Sequence, residues 1–212
     1  PPAEDFDVIN LRSGSHDMSS RGAYMSNRFT DDSMLDMGNI GPHGRFVHLY
    51  LNGNYWGQYH LRERWSADMA SSYFGGSKDD YEAVNANDNF RNDEDVYDGN
   101  GKFWNETKRL LSGPNPFVNA TDHIDIANIV DFMLLWVSGN SESEFRAFGS
   151  ESRGIPFKFM IKDADGFLRS PGHSVNHAGP YSVMNEMRTG WAGVRQPEGN
   201  PDYGIFLADR IH

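Results

Sequence analysis

Apolar and polar positions change period several times along the chain, and each change marks an element. RFVHLYLNGNYWGQYHLRER, from Arg45, alternates through Leu49 and Leu51, breaks at Asn52-Gly53 and resumes over 55–61. Two strands joined by a type I′ turn follow, because Asn and Gly tolerate the positive φ that turn requires. DFDVINLRSG, from Asp5, sets Phe6, Val8 and Leu11 ahead of Gly14 and predicts a short strand and turn. Met18, Tyr24, Met25, Phe29, Met34, Leu35 and Met37 recur at mixed spacings of three and four, so a mostly helical stretch runs up to Gly38. Further helices are predicted over 65–74, ended by Gly75-Gly76, and over 102–111, closed by Ser112-Gly113-Pro114. A fourth, over 122–137, carries Ile124, Ile126, Ile129, Phe132, Met133 and Trp136 on a face wide enough for a core helix.

Between these lies a strand over 81–85 that dissolves into an acidic, Asn-rich loop. Residues 154–169, which include FKFMIKDADGFL, predict a second hairpin around Asp-Gly. A long segment rich in Gly, Pro, His and Asn follows, and PDYGIFLADRIH at the end reads as the first turns of a helix. Trp56, Trp65, Trp104 and Trp136 all sit among apolar residues and are expected in the core. No internal repeat is visible. The whole is read as one α+β domain, taken as a piece of a longer protein.

Composition narrows the function. With 38% hydrophobic residues, 14 Phe, 9 Tyr and 5 Trp, the 212-residue chain is long and apolar enough to bury a real core. A formal net charge of −11, with no basic stripe, argues against binding nucleic-acid phosphates. An anionic ligand therefore needs a metal or local arginines. Zero cysteines exclude disulfides, thiolate metal sites and thiol nucleophiles. The longest apolar run, IVDFMLLWV, is far short of the roughly 20 residues a membrane span needs.

Candidate chemistry starts at KDADG. Asp163 and Asp165 stand at i and i+2 at the end of an apolar strand, so in extended backbone both carboxylates share one side. They mark either a plain turn or a cation site. His173 and His177 have a spacing compatible with metal ligands on a helix, but their Pro-Gly and Gly-Pro flanks favour a loop. Arg12 and Asp17 are expected to form an ion pair that fixes the LRSGSHD turn.

The order of LRSGSHD with Arg28 downstream, LYLNGNYWGQYHLRER, the core helix ending in Gly139-Asn140, FKFMIKDADGFL and the terminal LADRIH resembles the CotH kinase family of spore-coat-protein-H-like atypical protein kinases. The resemblance covers roughly 6–212 and implies a protein-kinase-like, two-lobed fold. It further implies ATP bound with Mg2+ or Mn2+ and phosphoryl transfer to a Ser/Thr-containing protein, secreted or coat-associated. Such catalysis is mostly positioning plus neutralisation of charge on the transferred group. On this resemblance Asp163 is the metal ligand with Asp165 its partner, and Glu63 and Arg62 lie by the nucleotide.

Three departures stand out. The family's nucleotide-gripping lysine falls on a strand that would precede Pro1. Phe159, Met160, Ile161 and Lys162 replace the usual Trp before the first Asp. Where the family commonly has an Asp base and then an Asn, this chain reads GNSESEF. Glu142, closer by spacing, or Glu144 then accepts the hydroxyl proton, and Asn140 orients the loop or helps hold the metal. Glu63 has an equally good alternative as a surface charge paired with Arg62 or Arg64. Two other functions remain open: a non-catalytic surface-binding module that keeps the fold, and a hydrolase using Glu142 or Glu144 with Asp163.

Overall fold

The computed structural model describes residues 8–14, 23–86, 96–111, 121–139, 145–162, 164, 165 and 167. Among them are seven strands and four α-helices in the order β1 (Ile9–Arg12), α1 (Ser26–Asp36), β2 (Gly44–Leu51), β3 (Asn54–Glu63), α2 (Ala67–Phe74), β4 (Glu82–Ala86), β5 (Val96–Asp98), α3 (Lys102–Leu111), α4 (Ile126–Gly139), β6 (Phe145–Ser150) and β7 (Ile155–Ile161). The fold is α+β, built on two antiparallel sheets. Sheet A has the order β1-β3-β2, and sheet B the order β5-β4-β6-β7.

The central hairpin stands as its sequence predicts. Asn52 and Gly53 take φ of 50° and 82°, the left-handed pair that a type I′ turn needs, and β2 and β3 zip up from Leu51↔Asn54. α2 starts where the Ser66 side chain accepts from the Met69 N–H, and it ends at Gly75 with φ 77°. α3 also matches its expected span.

Elsewhere the boundaries move. α1 begins at Ser26, just after Tyr24 takes φ 64°. α4 begins at Ile126 rather than four residues earlier. Ile124 is not helical: it bridges to Phe157, and Asp125 bonds the Asn128 N–H to start the helix. Two strands went unpredicted. β5 emerges from the acidic stretch read as loop, and β6 follows directly on the proposed catalytic loop. β7 consequently forms its hairpin with β6, upstream, through the turn at 151–154. After β7 the chain turns where Asp-Gly predicts, with the Phe167 N–H donating to Ala164 O, and the expected return strand beyond it lies outside the described residues. The acidic stretch at 87–95, the histidines at 16, 173 and 177, and the expected terminal helix lie outside the described residues.

Sheet B is covered on both faces because its side chains alternate. One face sets Val84, Phe145, Ala147, Phe157, Phe159 and Ile161 against Phe103 and Trp104 of α3 and Ile129, Phe132 and Leu135 of α4. The other sets Ala83, Phe148 and Met160 against Trp65 and the α2 residues Met69 and Ala70. Trp65 and Trp104 are core, as expected. Trp56 is not: it lies on the outer part of the β2–β3 hairpin and is 61% exposed, since no described element covers that tip. The Trp136 side chain lies outside the description.

Candidate functional site

The strand register assembles a charged face. Arg12 pairs with His60 and Asn10 with Arg62 across β1 and β3, while β2 sets Phe46 opposite His60 and Gly44 opposite Arg62. Directly opposed residues share a side, so Arg12, His60, Arg62 and Phe46 all face the same way. Gly44 is required there. A Cβ at that position would stand 2.9 Å from Arg28 Nη1 and 2.6 Å from Leu61 O.

Against this face packs α1, with Asn27, Arg28 and Asp31 buried. Arg62 Nη2 donates to Asp31 Oδ1 at 3.0 Å. Arg28 donates to Pro42 O at 3.0 Å, pairs with Asp32, and stands 4.0 Å from Asp31 Oδ2. Burial raises the Asp31 pKa from 3.8 to about 6, although Arg62 and Arg28 pull the other way. Burial first, then the guanidiniums of Arg62, Arg28 and Arg12, lower His60 from 6.5 to about 4. His60 is therefore neutral near pH 7, and its buried Nε2 meets no hydrogen-bond partner among the described residues. It lines a small cavity of about 10 Å³, shared with Arg12, Tyr24, Asn27 and Phe46, which has room for about one water.

The strand end after β7 closes onto the same place. Asp165, 6% exposed, accepts from Arg12 Nη2 at 2.6 Å and from the Asn27 amide. Asn27 Oδ1 accepts in turn from the Ala164 N–H at 3.3 Å, and Ser26 Oγ donates to Phe167 O at 2.7 Å.

A larger hollow, about 360 Å³, opens at the other end of β1 and β3 and is lined in part by Val8, Arg64, Ser66, Asp68, Lys78 and Asp98. Its volume falls within the range of small-molecule sites. Asp98 is engaged in accepting from the Ala67 N–H at the start of α2. Arg64 and Lys78 form no ion pair among the described residues and share the lining with the carboxylates of Asp68 and Asp98.

Glu63 and Arg62, adjacent in sequence, point to opposite faces of β3. Glu63 is buried and accepts from the Tyr73 hydroxyl at 2.9 Å and the His43 N–H at 2.8 Å. It is neither a surface charge nor paired with Arg62, whose described partner is Asp31. Asn140, Glu142, Glu144 and Asp163 lie outside the described residues, as does Asp17. Arg12 has Asp165 as a described partner, a contact the local sequence does not suggest.

The family described as CotH kinase protein matches residues 2–147, more than half of the chain. This chain belongs to the CotH kinase family. No curated protein matches it. The matched span takes in Arg62, Glu63, Asn140, Glu142 and Glu144 and stops short of Asp163 and Asp165. Among the described residues no three His, Asp or Glu side chains converge to hold a metal, and no helix is long and apolar enough to cross a membrane.

Sequence reasoning missed Asn27, Asp31 and His60. Their signal was present in two places. Polar residues at 27, 28 and 31 interrupt the apolar pattern of a helix at helical spacing, and His60 and Arg62 sit two apart at the buried end of a strand.

Proposed function

We propose that this CotH-family chain is an atypical protein kinase, a single domain that transfers a phosphoryl group from ATP, with Mg2+ or Mn2+, to a Ser or Thr hydroxyl of a secreted or coat protein. The observation that carries the proposal is the burial of Asp165, the second acid of the D-x-D sequence. Asp165 is buried where sheet A, α1 and the end of β7 meet, rather than on an outer surface.

The donor chemistry suits a hard divalent cation, which takes one or two carboxylates together with phosphate oxygens and water. Asp163 is the residue that would hold it, and the cation would supply neutralisation of charge on the transferring group. The co-substrate nucleotide is placed at the hollow lined by Arg64 and Lys78, neither of which is ion-paired among the described residues. Glu63 and Arg62 act there through position: bonds to Tyr73, His43 and Asp31 fix the end of β3 that leads into Arg64. Glu142, with Glu144 as the other candidate, accepts the hydroxyl proton as the acceptor oxygen bonds the γ-phosphorus and ADP leaves. Asn140 orients that loop.

A second reading, a binding module that keeps the fold without the chemistry, draws on GNSESEF standing where the family commonly has Asp and then Asn. Two measurements separate them. A kinase is stabilised against heat by ATP plus Mg2+ or Mn2+, because a ligand that binds only the folded state raises its stability. With labelled ATP and a Ser-rich acceptor, wild type labels and Asp163→Ala does not. Equal labelling in both removes Asp163 from the mechanism, and no thermal shift with any nucleotide favours the binding module.

A further inference from the structure

We propose that Arg146 on β6 and Arg64, directly after β3, form a two-guanidinium site that takes the phosphate group of a small molecule without help from a divalent cation. It meets the phosphoryl-transfer reading only in that a nucleotide tail is one carrier of such a group. The site itself needs no catalysis.

Strand register puts Arg146 on the face of sheet B that turns to α2 and Trp65. It stands opposite Asn85 of β4 and Met160 of β7, and opposed residues share a side. Its chain neighbours Phe145 and Ala147 enter the other core, whereas Met160 and Phe148 pack with Trp65, the Trp65 and Phe148 rings lying 4.6 Å apart. Trp65 brings Arg64 with it, as the preceding residue. Tyr97 of β5 links the two arginines: its hydroxyl donates to Trp65 O, and with Arg64 it lines the hollow of about 360 Å³.

Arg146 spends one N–H on the protein. Its Nε donates to Asn85 Oδ1 at 3.1 Å, and neither Nη group has an acceptor among the described residues. A neutral amide thus stands where a half-buried guanidinium ordinarily meets a carboxylate. Burial first, then the guanidiniums of Arg62, Arg64 and Arg12, lower the Arg146 pKa against an opposing pull from Tyr97. The side chain keeps its proton all the same, because arginine does not titrate in proteins, so the charge waits for a counter-ion. Arg64 is exposed and close enough to Arg146 to act on it. Against Asp68 and Asp98 of the hollow stand Arg64, Lys78 and Arg146, and Asp98 is occupied with the Ala67 N–H. Two planar forks carrying two positive charges match a phosphate dianion better than a carboxylate with its single charge. A chain of net charge −11 repels such a ligand elsewhere, so local arginines are what admits it.

The test uses the full chain and isothermal titration calorimetry in EDTA, with inorganic phosphate, pyrophosphate and ATP as probes. Wild type should bind pyrophosphate or ATP. Arg146→Met and Arg64→Ala should each weaken that binding about tenfold, the order expected for one charge-assisted hydrogen bond. Arg146→Lys should recover only part, since an ammonium keeps the charge and not the fork. Arg109→Gln, which removes an exposed positive charge from α3, should leave binding unchanged. Tightest binding of ATP means that the group arrives on a nucleotide, and binding of pyrophosphate or phosphate as tight as that of ATP means that it arrives without one; either outcome supports the site. No binding of any probe in EDTA overturns it. So does equal weakening by Arg109→Gln, which reports only a general attraction. If Arg146→Met does not fold, Arg64→Ala and Arg146→Lys decide by the same criterion. A chain that binds ATP only with Mg2+ or Mn2+, and equally well in both variants, overturns the site and keeps the kinase reading. One that binds pyrophosphate in EDTA but transfers nothing from ATP does the reverse.

Discussion

Sheet B carries aromatic side chains on both faces, whereas the inner face of sheet A carries two guanidiniums and an imidazole, and α1 packed against it adds a third guanidinium and the carboxylates of Asp31 and Asp32. The two halves are held by different forces. Around sheet B, Trp104, Phe132, Phe145, Phe157 and Phe159 are almost wholly buried, and each such side chain contributes about 1.5–3 kcal/mol by leaving water. Gly149 shows how close the packing is: a Cβ there would stand 3.0 Å from the Phe157 ring and 3.1 Å from Phe103. On sheet A, burial of charge costs free energy that the ion pairs only partly return, so that region gives orientation and pH sensitivity rather than bulk stability. The lesson is a division of labour, with a greasy platform below and an electrostatically set face above it.

The largest expected effect lies on sheet B. Phe159→Ala empties a site in contact with Trp104, Phe132 and Phe145, and urea denaturation should show a loss of about 3–5 kcal/mol. A loss below about 1 kcal/mol would mean that the platform is not close-packed.

The middle effect separates the charged face by pH. His60 has a folded pKa, about 4, below its ordinary 6.5, so the unfolded chain takes up the proton first. Its contribution is complete above pH 6.5 and is lost as pH falls through 4. Asp31 has the opposite sign: its folded pKa, about 6, lies above 3.8, so the folded chain takes up the proton first and stability is gained as pH falls from 6 towards 3.8. Each shift is worth on the order of 3 kcal/mol at about 1.4 kcal/mol per unit, and in wild type the two largely cancel. Asp31→Asn should therefore lose stability between pH 6.5 and 4, and His60→Asn should gain it over nearly the same window, as read by urea midpoints along a pH series. Parallel profiles in the two variants would break the picture of opposed titrations on one face.

The smallest effect belongs to the hairpin tip of sheet A. Trp56→Ser should change stability by no more than about 0.5 kcal/mol, because the ring is largely in water already. A larger loss in the same urea assay would reveal packing at the tip that exposure does not account for.

Much of this was legible before the fold was seen, and the reason is range. Asn52-Gly53, the Ser66 cap and Gly75 act within a few residues, so the hairpin and α2 were readable from local chemistry. β5 is three residues long, and the alternation of β6 is broken by an irregularity after Phe148, so neither left enough period to detect. The start of α4 was misplaced because Ile124 continues the helical apolar spacing while serving as a bridge to Phe157. Trp56 reads as core because alternation reports which residues share a side and not whether anything packs against that side.

The amino-acid sequence by itself determined the turns, the helix caps, the apolar stock of the core, and the acidic pair at 163 and 165 set at the end of a strand. Only the tertiary structure decided that Asp165 would meet Arg12 and Asn27, that Glu63 would serve Tyr73 and His43, and that His60 would lie neutral among guanidiniums. Caps and turns are satisfied by neighbours along the chain. A buried charge is satisfied by whatever the packing of distant elements brings within bonding distance, and no local pattern records that.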